Sequence, residues 1–236
     1  MIIRVISDVH SNLPALVSVL ADRAGLEADV TFCLGDIVGY GANPSECIHL
    51  VRNACGAIVS GNHDSGVAGG TPRSHFNRAG AEAVDWTRGV LGPEELEWLA
   101  GLPLQDEREG MFLCHSDPAL PEGWRYILTR GAAITALEAK PGGISLVGHT
   151  HLPGAWSSGG VFSEAESGSL TGPLLINCGS VGQPRDGDPR AAYLLADTSA
   201  GTWKHVRVAY DLEAAAAGIR KAGLPDMLAD RLFIGR

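Results

Sequence analysis

The chain has 236 residues, enough for one sizeable core and short for two full domains. Hydrophobic residues make up 45% of it, which excludes a disordered chain, while 31 glycines, nearly twice the usual ~7%, mark it as rich in turns. Asp and Glu outnumber Lys and Arg by 27 to 18, and the net charge of −9 argues against a broad polyanion-binding surface but not against one small anionic ligand.

Ile2–Ile6 is apolar and β-branched and predicts a buried strand. Asn12 stands where it would cap a helix whose Leu13, Leu16, Val17 and Leu20 share a face, with Pro14 in the first turn. Val30–Leu34 predicts a second strand, Asn43-Pro44-Ser45-Glu46 a capping-box helix start, and Ala57–Val59 a third short strand. Gly92-Pro93-Glu94-Glu95 opens a helix that carries Leu96, Trp98 and Leu99 and stops at Gly101. Met111–Cys114, Ile144–Val147 and Leu174–Asn177 predict further strands, and Ala191–Asp197 with Thr202–Ala209 a hairpin. Asp211 caps a last helix with Leu212, Ala215, Ala216 and Ile219 on one face, ended by Gly223 and Pro225. Residues 66–74, 157–172 and 183–189 are irregular and read as surface loops. Strand–helix alternation that gives way to strands predicts an α/β fold, with a core extended by antiparallel strands and two packed sheets.

No apolar run approaches the roughly 18 residues of a membrane helix. The opening residues lack the apolar region and cleavage site of a signal peptide. The five cysteines are odd in number and have no C-x-x-C spacing, so neither a disulfide framework nor a thiolate zinc site is expected. A reduced, cytoplasmic protein is the expectation.

Each main apolar run ends in an unusual polar group. Ile6 leads to Ser7-Asp8-Val9-His10, Leu34 to Gly35-Asp36, and Val59 to Ser60-Gly61-Asn62-His63-Asp64. Cys114 leads to His115, and Val147 to Gly148-His149-Thr150-His151. In open α/β sheets, ligands sit outside the carboxyl ends of the strands, so these ends would gather in one place. A lone His at a strand end is ordinarily structural, but five such ends in one chain are not ordinary. On an extended backbone Asp8 and His10 would point the same way, as would His149 and His151. Imidazole and carboxylate suit Mn, Fe, Co, Ni or Zn, and the donors exceed what one tetrahedral ion uses, which favours a two-metal site. Gly35, Gly61 and Gly148 would permit sharp turns beside the ligands.

These residues resemble the calcineurin-like metallophosphoesterase superfamily, whose D-x-H, G-D, G-N-H-D/E, lone H and G-H-x-H elements stand here in order between residues 8 and 151. The stretch 177–190 and the tail from Tyr210 are similar to its small bacterial and archaeal phosphodiesterase branch. The resemblance implies one domain over residues 1–236, a four-layer α/β/β/α sandwich of two mixed sheets flanked by helices. It implies a dinuclear centre of divalent transition ions, with manganese first and Fe, Zn, Co or Ni as alternatives. One ion would be held by Asp8, His10, Asp36 and His151, the other by Asp36, Asn62, His115 and His149. His63 would be the general acid, Asp64 would orient its loop, and a metal-bridging hydroxide would attack the ester. The implied substrate is a small phosphate ester or nucleotide, with no membrane and no general nucleic-acid partner.

Protein phosphatases of this superfamily carry Asp-Arg-Gly where this chain has Gly39-Tyr40-Gly41, which weighs against a Ser/Thr protein phosphatase. Arg185 and Arg190 are candidates for recognising a substrate phosphate, since guanidinium matches its geometry; the competing reading is a surface ion pair with Asp186 or Asp188. The alternative of another class is a scaffold that kept the fold and lost catalysis, although no motif residue is missing.

Overall fold

In the computed structural model, which describes residues 1–140 and 142–236, the chain forms two mixed sheets of six strands each. In chain order come β1 (Ile2–Ile6), α1 (Leu13–Leu20), β2 (Val30–Cys33), α2 (Pro44–Ala54), β3 (Ala57–Ile58), α3 (Asn62–Ala68), α4 (Arg78–Val90) and α5 (Pro93–Ala100). Then follow β4 (Gln105–Arg108), β5 (Met111–Cys114), α6 (Arg130–Ala139), β6 (Ile144–Val147), β7 (Gly154–Ser157), β8 (Val161–Ser163), β9 (Ser167–Ser169) and β10 (Leu174–Asn177). The chain closes with β11 (Ala191–Asp197), β12 (Thr202–Val208), α7 (Leu212–Lys221) and α8 (Asp226–Asp230). The first sheet runs β3-β2-β1-β11-β12-β9 and the second β4-β5-β6-β10-β7-β8.

The two-residue period of a strand sorts β1 between two layers. Ile3 and Val5 turn towards the second sheet and pack with Phe32, Leu113, Leu146, Ile176 and Leu194. Ile6 turns the other way, among Leu16, Val19, Val51, Val67 and Tyr193 beneath the helices. Burying an aliphatic side chain of this kind contributes about 1.5–3 kcal/mol. Arg4 shares that outer face and is tolerated because its guanidinium donates to the Leu20 and Gly25 carbonyls and lies 5.9 Å from the Tyr193 ring centre. On the far side of the second sheet, Phe112, Cys114, Val147 and Leu175 pack on Ala133, Ala136 and Leu137 of α6. The layers are therefore helix, sheet, sheet, helix.

β1, β2 and β3 are mutually parallel, and so are β5, β6 and β10. Their carboxyl ends come to one edge, which is what the sequence predicts for the polar motifs.

Several local readings are corrected. The helices α4 and α6 and the strands β4, β7, β8 and β9 are not among the predicted elements. The segment after Gly61 is the start of α3 rather than a turn, and its helix takes in the first residues of the 66–74 loop. Asn43 forms no capping box: its side chain makes no backbone bond, and its amide donates to Glu46 Oε1 at 3.4 Å. Asn12 and Asp211 do cap, accepting from Ala15 N at 3.2 Å and Ala214 N at 2.8 Å. No helix among the described residues is long and apolar enough to cross a membrane.

Candidate metal centre

The strand-end loops are stitched to one another by main-chain bonds. Asp8 N donates to Gly35 O (3.0 Å), His10 N to Asp36 O (2.9 Å), and Gly148 N to His115 O (2.9 Å). His149 N donates to Asp8 Oδ2 at 3.0 Å, which ties the loop after β6 to the loop after β1 across the two sheets. Asp64 accepts from three main-chain donors, Ile37 N (2.9 Å), Val38 N (3.1 Å) and Gly61 N (3.0 Å). It thus fixes the Asp36 loop against α3 and touches no reacting group. Its place is that of a positioning residue.

The ligand backbone is not extended, contrary to the reading of the two i, i+2 pairs. Asp8, His10, Asp36, His149 and His151 have φ of 54°, 48°, 51°, 68° and 61°, all left-handed. Such backbone costs about 1–3 kcal/mol per residue and persists only where the surroundings impose it. Gly35 does have a left-handed φ, of 88°, as its turn requires. Gly148 is needed instead for close approach, because a Cβ there would run into Ser7 Oγ and Asp8 Oδ2.

Four imidazoles commit one nitrogen each to a main-chain carbonyl. His10 Nδ1 pairs with Val38 O (3.1 Å), His115 Nδ1 with Leu34 O (2.8 Å), His151 Nδ1 with Gln183 O (2.6 Å), and His149 Nε2 with Trp124 O (2.9 Å). A carbonyl only accepts, so these nitrogens carry a proton, and in a neutral ring the opposite one carries a lone pair. The opposite nitrogens face each other: His10 Nε2 lies 3.2 Å from His151 Nε2, and His115 Nε2 lies 3.1 Å from His149 Nδ1. Asp8 Oδ1 is 3.1 Å from His151 Nε2, and Asp36 Oδ2 is 3.6 Å from His10 Nε2 and 3.3 Å from His115 Nε2. Asp8 Oδ1 and Asn62 Oδ1 are buried with no hydrogen-bond partner. Carboxylates and imidazole nitrogens pressed together in this way make a candidate cation site, and nitrogen and oxygen donors suit a divalent transition ion. Asp8, His10 and His151 form one cluster with metal-binding spacing, and Asp36, His115 and His149 another.

The electrostatics agree. Burial pushes His10 well down, His149 to about 3 and His151 down as well, so each offers a lone pair at neutral pH. His115 differs: burial opposes its charge, but Asp36 and Asp8 outweigh it and lift that ring to about 9, so at neutral pH it holds a second proton that an ion would displace. For Asp36, burial opposes ionisation, yet His115 and His63 hold the carboxyl well below its ordinary value.

His63 lies in the first turn of α3, and its N–H donates to Asp36 Oδ1 at 2.8 Å. Its ring packs against His10 at 4.9 Å, Tyr40 at 4.4 Å and Phe76 at 4.9 Å between centres. Its Nδ1 is buried without a partner, beside Gly39, where related phosphatases carry Asp. With no carboxylate behind it, burial pushes the ring down to about 4, against the pull of Asp36. Tyr40 is both packed and at the site, 4.6 Å from the His10 ring centre and 7% exposed.

The two arginine candidates part company. Arg190 is exposed and its guanidinium grips both carboxylate oxygens of Asp188, which is the surface ion pair of the competing reading. Arg185 lies at the centre: its N–H donates to His151 O at 3.3 Å, its guanidinium is 5.9 Å from the Tyr40 ring centre, and its Nε is buried without a partner. Asn177 and Ser180 shape loops, donating to Thr150 Oγ1 at 2.9 Å and to Asp8 O at 2.8 Å. His205 is half-buried and pairs with Asn177 O at 2.8 Å. His75 is exposed, and its neighbour Phe76 makes the contact with His63. Trp124 and Tyr126 carry no sequence signal for the site, yet Trp124 O holds His149, and the Tyr126 ring stacks on His149 at 4.1 Å.

A four-layer sandwich whose parallel strand ends deliver Asp, Asn and His to one edge is the framework of a metal-dependent phosphoesterase. Residues 1–201 match the calcineurin-like phosphoesterase superfamily domain, and the chain belongs to that family. It is 41% identical over 249 residues to an uncharacterized protein of Methanocaldococcus jannaschii, covering 99% of this chain and 98% of that one. Its fold matches a metallophosphoesterase from Sphaerobacter thermophilus with a TM-score of 0.89 and 37% identity, over the full length of both chains. A hypothetical protein from Pyrococcus horikoshii shares the fold at a TM-score of 0.81 and 20% identity, over 100% of this chain and 98% of that one.

Proposed function

We propose that the protein is a dinuclear metal-dependent phosphodiesterase acting on small phosphate esters or nucleotides, with residues 1–236 as one catalytic domain. The observation that carries this reading is the convergence of four imidazoles on Asp8 and Asp36, with Asn62 Oδ1 buried and unpartnered among the described residues. Asp8, His10, Asp36 and His151 would hold one ion, and Asp36, Asn62, His115 and His149 the other, with manganese as the first candidate. Divalent ions there supply Lewis acidity to phosphoryl oxygens and an activated water.

The chain's own residues do the rest. His63 donates a proton to the leaving-group oxygen, a step worth roughly 10²- to 10⁴-fold. An anionic phosphate beside it raises the proton affinity of a ring that otherwise sits at about 4. Asp64 holds the Asp36 loop to α3, so His63 and Asp36 keep their relative positions. Tyr40 packs against the His63 ring and fills the place where protein phosphatases carry a phosphate-binding Arg. Arg185 adds positive charge beside His151. The five free cysteines suit a reducing cytoplasmic setting, and the acidic surface suits one small substrate better than nucleic acid.

The test is a panel of phosphodiesters, phosphomonoesters and nucleotides, led by bis-p-nitrophenyl phosphate, offered with Mn, Ni, Co, Zn and Mg in turn. Metal-dependent diester hydrolysis is expected. A metal-replete protein that leaves the whole panel intact would be a scaffold instead.

A further inference from the structure

We infer that Arg185 and Arg231 form a second anion-binding subsite beside the metal centre, and that it takes an additional phosphate group of the substrate. The natural ester would then be an organic polyphosphate rather than a singly charged diester. The substrate assignment rests on the function proposed above, whereas the subsite itself does not.

Arg231 enters from the C-terminal segment, outside residues 1–201 that match the family. It follows α8 on a short 3-10 helix, Arg231–Ile234, whose Leu232 is anchored in the cluster of Ala215, Ala216, Ile219 and Leu228. That anchoring carries the guanidinium to the site: its Cζ lies 6.0 Å from the Tyr40 ring centre, and the Arg185 Cζ lies 5.9 Å from the same centre. The Tyr40 ring in turn lies 4.6 Å from the His10 ring and 4.4 Å from the His63 ring.

Neither guanidinium has an Asp or Glu partner among the described residues. Arg185 has only Gln183 Oε1, at 2.9 Å, and a buried Nε with nothing to donate to. Arg231 uses Nε on the Arg236 main-chain oxygen and leaves both terminal nitrogens without a protein acceptor among the described residues. In contrast, Arg73, Arg78, Arg108, Arg190, Arg207 and Arg220 all pair with Asp or Glu. Burial and the charge of Arg185 both push Arg231 down, which marks two like charges held together over one ring. Two partly desolvated guanidiniums without Asp or Glu partners repel each other until an anion arrives, and their donors match phosphate oxygens. Tyr126, 51% exposed, stacks on His149 at 4.1 Å, so this edge of the site meets solvent. The ion-binding cluster accounts for the reacting phosphoryl group, so the arginines are free to meet another one.

The experiment titrates inorganic pyrophosphate into the full-length, metal-free protein at low salt, read by calorimetry and by thermal shift. Binding and stabilisation are expected. Arg231→Gln and Arg185→Gln should each weaken it roughly tenfold or more. Arg231→Lys should keep much of it, which separates the charge from a structural role. Arg220→Gln, which removes the same charge from an exposed ion pair, should bind like the parent. A protein that ignores pyrophosphate, or an Arg185→Gln, Arg231→Gln double variant that binds it undiminished, overturns the subsite. Hydrolysis of bis-p-nitrophenyl phosphate alongside such a failure would leave the proposed function standing. Pyrophosphate binding without any hydrolysis would support the subsite and remove the enzyme reading.

Discussion

His10 Nε2 and His151 Nε2 lie 3.2 Å apart, and each ring has already given its one proton to a main-chain carbonyl, Val38 O and Gln183 O. Two lone pairs at that distance repel unless a positive charge lies between or beside them. The fold meets the cost of this arrangement because the carbonyls, the left-handed loops and the bond from His149 N to Asp8 Oδ2 leave the rings no other pose.

Metal should therefore stabilise the protein. An ion at 100 times its Kd adds about 2.7 kcal/mol, or roughly 5–10 °C in Tm for a chain of this size. Elemental analysis of the manganese-loaded protein should find about two ions per chain. His10→Ala and His149→Ala should each lower that content and the thermal shift. A Tm indifferent to manganese and to chelator would count against the site.

Loading should also release protons. A metal ligand must be deprotonated, and His115 is lifted to about 9 although burial opposes its charge. Below pH 9 the ring carries a proton that the ion must displace, so affinity should climb as pH rises towards 9 and level off above it. Calorimetry at pH 7 in buffers of differing ionisation enthalpy should show the released proton. In His115→Ala that release should vanish together with the weaker binding.

His63→Ala should lower kcat by roughly 10²- to 10⁴-fold and leave the metal content unchanged. The role proposed for its imidazole is in the leaving-group step, and its main-chain N–H is what bonds Asp36. An equal loss of bound metal would show that the ring serves as a ligand instead.

Asp64→Ala would strand three buried main-chain donors, at Ile37, Val38 and Gly61. A loss of about 2–4 kcal/mol is expected, seen as a Tm lower by roughly 5–15 °C. Activity should fall with it, because the Asp36 loop and α3 would no longer be held in register.

Gly148→Ala should cost about 1–3 kcal/mol through overpacking and should weaken metal binding, since its Cβ meets Ser7 Oγ and Asp8 Oδ2. Ala at Gly110, where nothing lies within 4 Å but φ is 74°, separates backbone strain from steric contact.

The identities at the site were legible because charged and imidazole side chains interrupt apolar strands at five places. The pose was not. Left-handed φ at Asp8 and His10 leaves no mark in a periodicity argument, and the carbonyls of Val38, Leu34, Gln183 and Trp124 act through atoms every residue has. Helix α4 escaped because its buried face is Ala79, Gly80, Ala83, Val84 and Thr87, too small and mixed to read as an apolar stripe. The strands β8 and β9, three residues each, are mostly exposed edges with no alternation to detect. Arg231 could not be placed near Arg185 from sequence, since only the packing of the last helices brings it there.

The left-handed loops also restrict what chemistry this edge of the fold can evolve. Among non-glycine residues, Asn, Asp and His are the ones that tolerate positive φ best. The same three supply every donor here, so coordination preference and backbone preference select one alphabet. A cysteine or glutamate at position 8, 10, 36, 149 or 151 would offer a competent donor on a backbone that resists it. Exchange of this centre for a thiolate zinc site is thereby discouraged at the level of the main chain, before any question of metal affinity arises.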